Sequence, residues 1–200
     1  MSVTYTNRKG RKYYLRQGVT KTGKPRYFFS REQRGKPIEE IPEGYEITES
    51  VNGIVSLSKA RPKLLMKSEI ATIKFAIQRH RKARKYRFDV KSKEVIIYEQ
   101  VGSDLEELSE KIETEYGFSG ALTNNNLLHQ FENERKIYTQ YTPVMKLILA
   151  DKEKRLFCAQ RMCYLGGIDD WIDLTYDKTI EELSSTLIPS LGTDESFELC

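Results

Sequence analysis

The sequence predicts an α+β fold: an N-terminal antiparallel β-meander, a central helix with a β-hairpin, and a C-terminal α+β region with a further hairpin and a terminal helix. Three observations predict it. Stretches of period-two alternation separated by turn residues recur before residue 100, one 3.6-period segment interrupts them, and two S/T-x-x-E capping boxes mark helix starts further on.

The first hairpin is Lys12–Gln17, a turn at Gly18–Gly23, and Lys24–Ser30, all rich in β-formers. Tyr45–Glu49 and Ile54–Ser58 flank Val51-Asn52-Gly53, where Asn and Gly tolerate positive φ, and form the second. After Pro62, Ser68 is placed to cap a helix with Ile70, Ile73 and Ile77 on one face. Arg79, Arg81, Lys82, Arg84 and Lys85 crowd its C-terminal end, where cations suit the helix dipole. Tyr86–Val90 and Val95–Tyr98 read as a strand pair, and Ser103-Asp104-Leu105-Glu106 opens a helix that stops at Gly117. Residues 118–130 read as a loop or sub-boundary. Pro143–Ala150 and Leu156–Tyr164 then flank a charged turn, Gly166-Gly167 leads into Trp171–Leu174, and Thr179 opens a last helix ended by Pro189. The expected domains are a basic antiparallel β module over 1–60 and an α+β domain over 61–200.

Composition narrows the function classes. With 38% hydrophobic and 10% aromatic content, the 200 residues suffice for a sizeable core. No apolar run approaches the ~18 residues that span a bilayer, and the start Met1-Ser2-Val3-Thr4-Tyr5 lacks the greasy segment of a leader, so a cytoplasmic setting without membrane contact is expected. Cys158, Cys163 and Cys200 form no CxxC or finger spacing and are expected to be free thiols that fill space. The net charge of +4 conceals segregation, because the chain is +16 before residue 94 and −12 after it. Such a division fits either a basic face for a polyanion or two halves that attract.

Enzymatic motifs are missing. No GxxxxGK[ST], GxGxxG, GxSxG or HExxH occurs, and the two histidines, His80 and His129, have no catalytic partner in sequence. No catalytic residue and no cofactor is assigned. Asp169, Asp170 and Asp173 are the one candidate set for a divalent cation, with a solvated turn as the simpler account. Asp89 and Glu99 have the flavour of a nuclease pair, yet the second element runs Glu99-Gln100-Val101 and lacks the lysine that would stabilise phosphate charge.

The richest signal is basic and aromatic interleaving. Alternation puts Lys12, Tyr14 and Arg16 on one face of the first strand and Lys24, Arg26 and Phe28 on one face of the second. If the two faces coincide, phosphates meet cations and an unpaired base meets a ring. Arg81, Arg84 and Arg87 extend the candidate surface. On exposed sheets, however, Lys and Arg also blunt edges and cover apolar surface. The sequence therefore favours a non-enzymatic interaction protein with a protein partner, then a nucleic-acid-binding protein, and last a metal-dependent enzyme.

The phrases GKPRYFFSREQRGKPIEEIPEGYEI and KRLFCAQRMCYLGGIDDWIDL resemble segments of uncharacterised bacterial proteins of about this length, of a cyanobacterial kind. The resemblance covers most of the chain. It implies a bacterial cytosolic setting and no activity.

Overall fold

The computed structural model describes residues 2–32, 34–102, 139–164, 166–167 and 169–193. The helix expected from Ser103, the loop at 118–130, His129 and Cys200 lie outside the described residues. The molecule is α+β and rich in sheet. It divides into two compact units, one from Met1–Ala60 with Gly102–Gln140 and the other from Arg61–Val101 with Tyr141–Cys200.

In the first unit, β1 (Thr4–Thr6), β2 (Lys12–Val19), β3 (Pro25–Ser30) and β4 (Lys36–Pro37) form one sheet, while β5 (Tyr45–Glu49) and β6 (Val55–Lys59) form another. Both expected hairpins are present, but they do not join into one four-strand meander. The reason lies in β2, whose two edges are already taken: β3 pairs along one, and β1 and β4 share the other. At that shared edge the Leu15 amide donates to the Val3 carbonyl at 2.9 Å, and the Val3 amide donates to Ile38 at 2.8 Å. The second hairpin is tied to the N-terminal segment by side chains instead. Buried Asn7 donates Nδ2 to the Gly53 carbonyl at 2.6 Å and accepts at Oδ1 from the amides of Lys9 and Arg11. Gly53 has φ of 76°, and a Cβ there would stand 3.0 Å from Asn7 Nδ2, so both its freedom and its lack of a side chain are required. Glu49 accepts from the Tyr5 hydroxyl at 2.9 Å and from both the amide and Nε of Arg8. That carboxylate pairs one of the N-terminal cations within the unit.

The second unit is a five-strand antiparallel sheet in the order β11 (Asp169–Lys178), β10 (Leu156–Tyr164), β9 (Tyr141–Asp151), β8 (Glu94–Gln100), β7 (Tyr86–Val90). The helices α1 (Lys67–Arg79) and α2 (Ile180–Ser190) pack on it. Val95, Ile97, Met145, Leu147 and Phe157 alternate along the strands and bury against Ile73, Ile77, Leu183 and Ile188. β11 is longer than Trp171–Leu174 predicts, because its polar residues are carried by pairing with β10.

Both helices depart slightly from expectation. α1 begins two residues before the expected start, with Met66 rather than Ser68 as its N-cap, since Glu69 accepts the Met66 amide at 2.7 Å. Glu69 is itself buried and held by Arg155 from the β9–β10 turn, with Nε to Oε1 at 2.8 Å and Nη2 on Oε2. α2 starts as the capping box predicts, the Glu182 amide donating to Thr179 Oγ1 at 3.3 Å and the Thr179 amide donating to Glu182 Oε2 at 2.8 Å. Pro189 sits inside its last turn rather than ending it.

Candidate nucleic-acid interface

The register of β2 and β3 decides whether the basic and aromatic residues share a face. Tyr14 stands opposite Ser30, Arg16 opposite Phe28, and Gly18 opposite Arg26. Directly opposed residues project to the same side of a sheet, so Lys12, Tyr14, Arg16, Arg26 and Phe28 lie on one face. The other face carries Leu15, fully buried, and Tyr27, whose ring meets Tyr45 edge-on at 6.0 Å. Alternation thus puts half-buried rings on both faces, and on the outer face they stand among cations.

The outer face has a definite local geometry. Lys12 Nζ lies 5.6 Å and Arg16 Cζ 5.5 Å from the centroid of the Tyr14 ring. Phe28 reaches across the strand to Gly18, where a Cβ would stand 3.2 Å from the ring edge, and it also borders Gly35. Gly35, with φ of 89°, brings its backbone so near β2 that a Cβ would lie 3.0 Å from the Gln17 carbonyl. Lys24 is at the hairpin tip, in the turn closed by the Thr20 amide on the Lys24 carbonyl, rather than on the strand face. Lys12, Lys24 and Arg26 are exposed. Arg16 differs from expectation: it is only 5% exposed, and its Nε has no hydrogen-bond partner. Its burial between Tyr14 and the Gly35–Pro37 segment makes it a support for the Tyr14 ring, a role that alternation alone does not distinguish from surface contact. Among the described residues, no carboxylate pairs with Lys12, Arg16, Lys24 or Arg26.

Arg81, Arg84 and Arg87 belong to the second unit. All three are exposed, and Arg87 is tied locally, with Nη1 donating to the Tyr86 and Arg84 carbonyls and its guanidinium 5.7 Å from the Tyr141 ring centroid.

The aspartates do not come together. Asp169, Asp170 and Asp173 lie along β11, paired with Tyr164, Cys163 and Gln160, and successive residues there point to opposite faces. Asp170 accepts from the Trp171 amide and Asp173 from Gln160 Nε2. Among the described residues no group of three or more His, Cys, Asp or Glu is placed to hold a metal ion. The nuclease pair separates too. Glu99 is opposite Tyr86, whose ring lies in the core, whereas Asp89 is opposite Ile96 on the other side of the hairpin.

His80 has partners that the sequence does not reveal. It caps α1, shares a hydrogen bond between Nε2 and the Leu191 carbonyl at 3.1 Å, and accepts the Lys82 amide at Nδ1. Burial lowers its pKa, opposed by the Leu191 bond and assisted by Arg81. A neutral ring with both nitrogens engaged is a structural element here. Cys158 and Cys163 are free thiols, and burial pushes the Cys158 thiol up, away from the reactive thiolate.

Among the described residues no helix is long and apolar enough to cross a membrane. Comparison with known proteins gives no match to a family model, a curated protein or a solved structure.

Proposed function

We propose that the first unit binds single-stranded nucleic acid on the outer face of β2 and β3. The observation that carries this reading is the register that sets Arg16 opposite Phe28 and Gly18 opposite Arg26, gathering cations and rings on one face. Lys12, Lys24 and Arg26 neutralise phosphates, Phe28 and Tyr14 offer surfaces on which bases stack, and Arg16 holds Tyr14 in place from beneath. Stacking is tolerant of sequence, so the expected preference is for unpaired strands rather than for a particular base order.

Fluorescence anisotropy of the full chain with labelled single- and double-stranded oligonucleotides at ~50 and ~200 mM salt tests this. Three phosphate contacts on a single strand give a log–log salt slope of about −2. Changing Lys12, Lys24 and Arg26 together to Gln flattens that slope towards zero, while Tyr14→Ala weakens binding with the slope kept. No anisotropy change at the lower salt removes nucleic acid from consideration. A protein partner would then take its place, with β11 as the surface best suited to it: the last strand in the sheet order, with Ile172 and Tyr176 exposed.

A further inference from the structure

The two helices of the second unit, with His80 and Arg81, border a half-open cavity that the proposed nucleic-acid face does not use. Its volume is 540 Å³, within the range of small-molecule sites. The sequence explains why it is there. α1 carries two stripes at helical spacing: Glu69, Ile73 and Ile77 are buried, and Thr72, Phe75, Ala76 and Arg79 form the neighbouring stripe that lines the cavity. α2 repeats the arrangement, with Ile180, Leu183, Leu187 and Ile188 buried and Glu181, Ser184, Ser185 and Pro189 turned to the cavity. Where larger side chains would interlock the helices, Ala76, Ser184 and Ser185 leave room.

Three features give the space a chemical character. Its lining includes two buried residues, His80 and Ser184. The walls are apolar, and Phe75 remains 58% exposed although it lines the cavity. The rim is charged, with Arg79 stacked 5.4 Å from the Phe75 ring centroid, Arg81 beside it, and Glu181 as the one acid. Pro189 has no amide hydrogen, so the helix hydrogen bond to the Ser185 carbonyl cannot form on that wall.

We infer that this cavity binds a small amphipathic carboxylate. The apolar body covers Phe75, Ala76 and Pro189, and the anionic head pairs with Arg79 and Arg81 at the rim. Two cations against one acid give the rim its preference for an anion.

The test is amide chemical-shift mapping on the nitrogen-labelled full chain, titrated with octanoate, octylammonium and octanol, which share one apolar body and differ in head group. Octanoate shifts the amides of residues 72–81 and 181–190 and binds about tenfold more tightly than either of the others. Arg79→Gln combined with Arg81→Gln abolishes that preference, and Glu181→Gln strengthens octanoate binding. Ser184→Leu fills the cavity and removes binding; if that variant does not fold, Ser185→Leu at the exposed rim serves the same purpose. Equal affinity for the three probes, shifts confined to other residues, or no shifts at all overturns the inference.

Discussion

At the scale of single residues, position in sequence and role in structure part company most clearly at Arg16 and His80. Arg16 belongs to an alternating cationic strand, and nothing in that alternation tells that Gly35 and β4 close over it, because the contact joins segments about twenty residues apart through a glycine with positive φ. Burial holds the His80 ring towards its neutral form, and its bond to Leu191 spans the second unit and is invisible locally. That neutrality has a pH consequence. Because the folded-state pKa lies below the ordinary value, protons bind the unfolded chain more readily. The contribution of His80 to stability is therefore complete above ~6.5 and is lost as pH falls from there through the lowered folded value. Urea titrations between about pH 7 and pH 5 check it against His80→Gln, which is uncharged throughout. The wild type loses stability over this interval by more than the variant does; parallel curves would show that His80 titrates alike in both states.

Elements were more legible than residues, because the signals that make them are short-range. The hairpins at β2–β3, β5–β6 and β9–β10 follow from alternation and turn chemistry, and the Thr179 capping box places the start of α2 to the residue. Elements fixed by distant partners were not legible. β1 and β4 have three and two residues, too few for a pattern, and exist because β2 offers them an edge. Likewise α1 is capped at Met66 because Arg155 orients Glu69 from 86 residues away. The second stripe of α1 and its counterpart on α2 were readable as periodicity, but the cavity between them depends on which faces the sheet turns together. The cap on α2 yields a direct expectation. Thr179→Ala leaves the Glu182 amide without its acceptor and removes the hydroxyl that helps hold the Glu182 carboxylate below its usual pKa. A loss of about 1 kcal/mol in chemical denaturation is expected, with Thr179→Ser close to wild type. An unchanged midpoint for the alanine variant would mean that packing of Leu183 and Leu187 alone sets the helix start.

At the scale of the whole molecule, two of the ion pairs among the described residues fall within single units. Arg8 pairs with Glu49 inside the first unit, and Arg155 with Glu69 inside the second. The units differ in what holds them. The second has a continuous cluster running from Leu65 to Leu191, whereas the buried apolar side chains of the first, among the described residues, are Leu15, Val51 and Val55. Among the described residues its other ties include the Asn7 and Glu49 networks, and net hydrogen-bond contributions of about 1 kcal/mol each do not replace a core. Hydrogen exchange followed by mass spectrometry should therefore show two classes of protection. Amides of β8, β9 and β10 exchange slowest, through global opening. Those of β5 and β6 exchange through a lower-energy opening, and β2, paired on both edges, lies between. The same ordering makes denaturant unfolding depart from two-state behaviour, with tyrosine signals of the first unit changing before the Trp171 signal of the second. A single cooperative transition with uniform protection would mean that the first unit draws its stability from the rest of the chain. Adding single-stranded oligonucleotide separates the two accounts further: a ligand that binds only the folded first unit raises protection in β2, β3, β5 and β6 while leaving β8 to β10 unchanged.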